Sequence, residues 1–265
     1  DWEYVGEAFE TLPEWKSDSS LWAPNITRQN GQYYLYYSYS VWGSNQNPGI
    51  GLAVSDDPAG PFEDQGPVFR EVDLDVTNCI DPFYYVVEDT PYMIWGSWFG
   101  LYGVEMTPNG RDIVEGTEFH LAGNHREGVF IIERDDYFYL FYSTGLCCEG
   151  LDSTYRMEVG RSESFTGPYV NQNGDDLRDL DDHGSGVGIL DGSDRFVAPG
   201  HGTAIQDDDG NWWTLYHAYD AEDGGFVDGT WRRTLMVDRL YWGEDGWPIV
   251  ADGTPSERSS YPVIE

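Results

Sequence analysis

The chain has 265 residues, 40% hydrophobic and 16% aromatic, enough for one large folded domain and too rich in Trp and Tyr for a disordered or coiled-coil protein. It carries 48 acidic against 14 basic residues, a formal net charge of −34. A field that negative argues against a nucleic-acid partner, and no apolar run approaches the length of a membrane span.

Lys16 is the only lysine, and the acids are spread through aromatic-rich segments rather than gathered in a tail. That pattern predicts adaptation to molar salt, where the Debye length falls to about 3 Å and self-repulsion is screened. Cys79, Cys147 and Cys148 make neither a disulfide framework nor a Cys-x-x-Cys metal spacing. The adjacent pair is open to two readings, free thiols or a vicinal disulfide. The sequence begins at Asp1 without a signal peptide, so a mature, trimmed or partial chain is expected.

Helical periodicity is scarce along the chain. Short β-branched and aromatic runs alternate with Gly, Asn, Asp and Pro clusters, which predicts strands and tight turns. The clearest strands are Gln32–Ser38, Tyr92–Gly96, Tyr137–Ser143 and Trp212–His217. They belong to a repeat. Tyr33-Tyr34-Leu35-Tyr36-Tyr37-Ser38 matches Phe138-Tyr139-Leu140-Phe141-Tyr142-Ser143. Downstream, Gly60-Pro61-Phe62 matches Gly167-Pro168-Tyr169. Four such units, each long enough for four short strands, predict an all-β fold of the β-propeller type, with a β-sandwich ranked second. Trp2–Phe9 aligns with Phe62–Phe69, which ends a unit. The chain is therefore expected to open on the last strand of an earlier blade. The expectation is a five-bladed type represented by four blades plus a remnant, in a single domain over residues 1–265.

Counting back the same distance from the end of each clear strand reaches Trp22, Asp81, Glu127 and His201. In a propeller, matched positions at the start of the innermost strands converge around the central channel. Two carboxylates, an imidazole and an indole there suit glycoside hydrolysis. An inverting enzyme needs a general acid on the leaving oxygen and a base on a water, the carboxyls about 6.5–9.5 Å apart. His201 among carboxylates is also a candidate ligand for calcium, with oxygens and water completing the shell.

A set of motifs spread over nearly the whole chain resembles glycoside hydrolase family 43, and most of all its endo-1,5-α-L-arabinanases. They are Leu21-Trp-Ala-Pro-Asn-Ile26, Ile50-Gly-Leu-Ala-Val-Ser55, Ile80-Asp-Pro82 with Trp95-Gly-Ser97, and Arg126-Glu-Gly128. To these are added Ser153-Thr-Tyr155 after the paired cysteines, Pro199-Gly-His-Gly202, Tyr216-His-Ala-Tyr-Asp220 and Asp245-Gly-Trp-Pro248. The resemblance implies a five-bladed propeller and inverting hydrolysis of α-1,5-linked arabinan or arabino-oligosaccharides. It implies Glu127 as general acid, Asp81 as the group that tunes the acid's pKa and orients substrate, and His201 beside a central calcium. Trp22, Asn25, Trp95, Ser97 and Arg233 are the candidate substrate-binding residues.

The sequence departs from the family at Asn25, where Asp is usual. The family's general base is an Asp upstream of the segment matching Asp1–Phe9, so no general base is expected in this sequence. Without it the fold leaves two other readings: a weakly active or non-catalytic arabino-oligosaccharide binder, or a hydrolase directed at xylan or arabinofuranosides. An unclosed blade predicts one of two outcomes, self-association through the gap, with Thr234–Leu240 as the strand nearest it, or a monomer with an open groove on one side of the channel. A secreted protein of a high-salt environment is expected.

Overall fold

In the computed structural model, which describes residues 4–16, 19–43, 47–74, 76–180, 185–224, 226–227 and 230–264, the four aromatic runs are the second strands of four antiparallel sheets. The first sheet is β1 (Ser20–Gln29), β2 (Gln32–Ser40), β3 (Gly49–Ser55) and β4 (Glu63–Arg70). A single helical turn, α1 (Glu71–Leu74), leads to the second: β5 (Phe83–Val87), β6 (Thr90–Trp95), β7 (Leu101–Glu105) and β8 (Phe119–Ala122). The third is β9 (Glu127–Arg134), β10 (Tyr137–Thr144), β11 (Arg156–Ser162) and β12 (Val187–Leu190). The fourth is β13 (Phe196–Gln206), β14 (Trp212–Asp220), β17 (Thr234–Trp242) and β18 (Pro248–Val250), with the hairpin β15 (Phe226–Val227) and β16 (Thr230–Trp231) inserted before β17. Each sheet runs in chain order, the meander of a propeller blade. No helix among the described residues is long and apolar enough to cross a membrane.

β2 shows why these runs are legible. Its residues alternate between two apolar clusters: Tyr34 and Tyr36 join Ile50, Leu52 and Trp95, while Leu35, Tyr37 and Tyr39 join Ala53 and Phe62. A strand covered on both faces is selected as a continuous apolar run rather than an alternating one. Its tyrosines also satisfy their hydroxyls: Tyr36 donates to the Gly110 carbonyl at 2.6 Å, Tyr37 to Asp64 at 2.5 Å and Tyr39 to the Pro13 carbonyl at 2.8 Å. Burial pushes all three phenols up, so they stay protonated donors.

The sequence repeat is a structural repeat. Tyr33 pairs with Ser55 as Phe138 pairs with Ser162. Both serines then accept a hydrogen bond two residues on, from the Asp57 N–H at 3.1 Å and the Ser164 N–H at 3.0 Å. The peptide bonds Gly60–Pro61 and Gly167–Pro168 are both cis.

The chain forms two compact units, Asp1–His120 and Leu121–Glu265. The first contains the first sheet and β5–β7, the second the third and fourth sheets, with β8 at the boundary. Hairpin-linked sheets keep their pairing local in sequence, so a division between consecutive sheets breaks few ladders. The opening segment is no remnant strand. Trp2 lies outside the described residues, and residues 4–9 join no ladder. Instead they and the residues after them cover the first sheet. The Phe62 N–H donates to the Ala8 carbonyl at 2.7 Å, and Phe9 and Trp15 pack on Tyr37 and Tyr39 with ring centroids 5.5 and 4.8 Å apart. Thr234–Leu240, the strand expected nearest the gap, pairs along its whole length with β14, while β18 meets β17 only from Leu240 to Trp242.

Candidate active site

The first strands of three sheets share one irregularity. Trp22 pairs with Ser38, but the next pair is Asn25 with Tyr36. Glu127 pairs with Ser143, then Phe130 with Phe141. Gly200 pairs with His217, then Thr203 with Leu215. Each first strand thus carries one residue more than its partner at the same place, a β-bulge of the kind that re-aims side chains beside active sites. The residue after each pair turns left-handed: Ala23 at φ 42°, Gly128 at φ 60° and His201 at φ 49°. Asp81, just before β5, has φ 61°.

This geometry corrects the equal-distance count by one residue. Trp22 and Glu127 sit opposite the second strand, whereas Asp81 and His201 occupy the left-handed position that follows. An inserted residue shifts the register without any mark in the hydrophobic pattern.

In the first unit, Ser38 lies opposite Trp22, and its hydroxyl accepts the Asp81 N–H at 2.8 Å. Asp81 is 5% exposed. The Asn25 side-chain oxygen accepts the Tyr84 N–H at 3.0 Å, so that atom ties the first sheet to the second. Trp22 is half-buried and meets the exposed Trp42 edge-on, with ring centroids 5.8 Å apart. Trp42 was not anticipated. Trp95 is a correction: its side chain is fully buried against Phe69 and Tyr102, because the end of β6 is covered on both faces, and it presents no platform to a sugar. Ser97, 2% exposed, also has little surface to offer, and its carbonyl accepts the Asn78 side-chain amide at 3.0 Å.

In the second unit, Ser143 lies opposite Glu127, and its hydroxyl accepts the His201 N–H at 2.8 Å. Glu127 is half-buried, and its Oε1 accepts the hydroxyl of the buried Tyr155 at 2.7 Å. Tyr155 was missed as a site residue, although it stands in the Ser153-Thr-Tyr155 motif. Its ring stacks on His217, which stacks on His201, with centroids 5.9 and 6.5 Å apart. Burial, with the Arg233 guanidinium and then the His201 ring nearby, pushes His217 down to about 3, so its imidazole is neutral. Gly128 must be glycine on two counts: its φ is +60°, and a Cβ there would lie 3.0 Å from the His201 ring.

Arg233 is exposed but anchored. Its Nε donates to the Tyr219 hydroxyl at 3.1 Å and its Nη2 to the Cys148 sulfur at 2.9 Å, while the Tyr219 hydroxyl donates to the Cys147 carbonyl at 3.0 Å. Cys147 and Cys148 are joined as a vicinal disulfide. Cys79 is a buried free thiol, pushed up first by burial and then by the charge of Glu71.

Calcium needs about six to eight oxygen ligands. Among the described residues no group of three or more His, Cys, Asp or Glu gathers to hold a metal. Around His201 the second unit supplies imidazoles, so these side chains alone do not fit a calcium shell, and no chemical step is derived through one.

Comparison with known proteins shows the family. Residues 1–248 match glycosyl hydrolases family 43. The extracellular exo-α-(1→5)-L-arabinofuranosidase of Cellvibrio japonicus is 35% identical, the match covering 94% of this chain and 77% of that protein. The extracellular endo-α-(1→5)-L-arabinanase 1 of Bacillus subtilis is 32% identical over 94% of this chain and 76% of its own length. Among solved structures, the Cellvibrio cellulosa α-L-arabinanase complexed with arabinohexaose superposes with a TM-score of 0.83 at 33% identity, covering 94% of this chain and 84% of that one. The family 43 endo-arabinanase of Bacillus licheniformis superposes at 0.78 with 33% identity, over 94% and 85%. The chain therefore belongs to glycosyl hydrolases family 43, with that family's all-β, propeller-type fold.

Proposed function

We propose that this glycoside hydrolase cleaves α-1,5-linked L-arabinan or arabino-oligosaccharides by an inverting mechanism, outside the cell and in high salt. The observation that carries the reading is the Tyr155 hydroxyl on Glu127 at the bulge of β9. A half-buried carboxyl steadied by a phenol hydroxyl is placed to pass a proton to the leaving glycosidic oxygen. Glu127 is the general acid in this reading. Asp81, in the left-handed position just before β5, orients the sugar and adds negative charge in this reading. Trp22 with Trp42 supplies an aromatic wall, and Arg233 a cation at the rim. The inverting route also requires a carboxylate that activates water, and no residue of this sequence is assigned to it.

The relatives support the substrate class, since two of those above carry the α-(1→5)-L linkage in their names, as an arabinofuranosidase and an arabinanase, and an arabinanase was solved with arabinohexaose. Two carry the word extracellular in their names, which supports secretion. The test is product analysis on linear arabinan with the unsubstituted chain and Glu127→Gln. We expect arabino-oligosaccharides or arabinose of inverted configuration from the former. The variant should lose about 10²–10⁴-fold in rate with its melting temperature kept. A chain that binds arabinohexaose without releasing product would be a non-catalytic binder, and preferential release of xylose or of single arabinofuranosyl groups would move the substrate.

Calcium at His201 belongs to the proposal as a largely water-coordinated ion, with one imidazole from the protein. If it binds only the folded state, adding calcium raises the melting temperature by mass action and a chelator reverses the gain. A melting temperature unmoved by either leaves His201 without a metal.

A further inference from the structure

The two serines that close the repeat, Ser38 and Ser143, stand at matched positions and do the same thing twice. Each ends the aromatic run of a second strand and is fully buried. Each lies opposite a site residue of its own sheet, Trp22 for Ser38 and Glu127 for Ser143. Each hydroxyl then accepts, at 2.8 Å, the backbone N–H of the site residue on the next sheet of its unit, Asp81 or His201. Those two acceptances fall on non-glycine residues with φ of 61° and 49°. A left-handed backbone is disfavoured for an ordinary side chain and persists where its surroundings over-determine it. His201 lies at a bulge and Asp81 before the start of β5, so each N–H takes an acceptor other than a ladder carbonyl. One buried hydroxyl answers both needs.

We propose that Ser38 and Ser143 are positioning residues of the active site, each clamping the left-handed residue that presents a site side chain: Ser38 sets Asp81, and Ser143 sets His201 while flanking Glu127. The proposal rests on the arabinan-hydrolase reading for what the clamp serves, but the clamp itself is a geometric statement. Serine suits the task at both places. Alanine lacks the acceptor, and at Ser143 there is little space for a larger side chain, since a Cβ on Gly200 would already lie 3.0 Å from the Ser143 hydroxyl. Ser162 provides a control, because its hydroxyl also accepts a backbone N–H, that of Ser164, but at a turn carrying no site residue.

The experiment uses the full chain as Ser38→Ala, Ser143→Ala, Ser38→Thr and Ser162→Ala. Amide hydrogen exchange is read at Asp81 and His201, and kcat and KM on arabino-oligosaccharide. We expect Ser38→Ala to lose exchange protection at Asp81 alone and Ser143→Ala at His201 alone. Both should lower kcat by roughly 10- to 100-fold, the scale of a misplaced catalytic geometry, with KM changed less than about twofold. Ser38→Thr, which keeps the acceptor, should restore protection and most of kcat. Ser162→Ala should match the unsubstituted chain in both kinetic constants. Unchanged protection in the alanine variants would overturn the clamp. Lost protection with unchanged kcat, or an equal loss in Ser162→Ala, would overturn its catalytic purpose. Absence of hydrolysis by the unsubstituted chain would overturn the arabinan reading and is distinguished because the exchange measurement needs no substrate.

Discussion

At the scale of single residues, the acid is defined by what touches it. Glu127 has a neutral donor, Tyr155, and that phenol is fixed by stacking on a neutral His217. A hydroxyl donor steadies the carboxyl oxygen it meets and so fixes how the group is presented. Tyr155→Phe removes one hydrogen bond from a buried ring and little volume. We expect kcat to fall about tenfold, in line with the loss of one orienting hydrogen bond, while the circular dichroism melt stays within a few degrees. A variant with full kcat would remove Tyr155 from the acid's support. Glu127, Asp81 and His201 could be singled out in the sequence because acids and imidazoles at repeat positions stand out, and the structure sets each beside a bulge or a left-handed backbone position. Tyr155 was not, because in a chain this rich in tyrosine one more has no distinguishing mark. Trp95 misled for the opposite reason: a conspicuous indole beside a site motif is still selected by the core when its strand is covered on both faces.

At the scale of elements, the hydrophobic pattern located all four second strands, since doubly covered strands write themselves as unbroken aromatic runs. The bulges on the first strands left no such trace. They add one residue of irregular backbone whose signature is a dihedral angle, and this is why counting from the strand ends reached the right neighbourhood but merged two kinds of position. Turns between strands are written in polar residues, and the turn joining β13 to β14 shows how firmly one carboxylate can fix such a join. Burial alone would raise the Asp207 pKa, but donations from the Trp213 indole, the Asn211 N–H and side chain and the Val263 N–H outweigh it and hold the carboxyl at about 2. The unfolded value is 3.8, so the unfolded chain binds the proton first. The contribution of Asp207 to stability is therefore complete above about pH 3.8 and is lost as the pH falls toward about 2. Asp207→Asn should lower the denaturation midpoint at neutral pH, and the gap to the unsubstituted chain should narrow as the pH falls through that window. A gap that stays constant down to pH 2.5 would show that the charge is not what holds the turn.

At the scale of the whole molecule, the charge balance shapes how each sign is used. The scarce cations are mostly arginines committed to aromatic faces: Arg134 lies 4.5 Å over Trp242, Arg161 4.4 Å over Trp247 and Arg239 5.0 Å over Trp213. Guanidinium stacks on aromatic rings and is weakly hydrated, which lysine's compact ammonium is not, so a chain whose few cations pack in this way has use for Arg and little for Lys. Ion pairs such as Arg70–Asp73 and Arg156–Glu158 join one arginine to one acid, and Arg195 is shared among Asp220, Glu222 and Glu257. With 48 acids against 14 bases, most carboxylates face others of their own sign. In dilute buffer that repulsion works against the compact state. At molar salt the screening length drops to about 3 Å, shorter than the usual separation of surface charges, and the repulsion falls away. A relief of a few kcal/mol corresponds to about 5–10 °C for a chain of this size. We therefore expect the melting temperature to rise by at least that much between about 0.05 and 2 M KCl. Replacing KCl by an uncharged osmolyte at equal water activity separates screening from general exclusion effects, and the larger part of the rise should need ions. A melting temperature indifferent to KCl, or raised equally by the osmolyte, would mean that the acidic surface is tolerated rather than matched to salt.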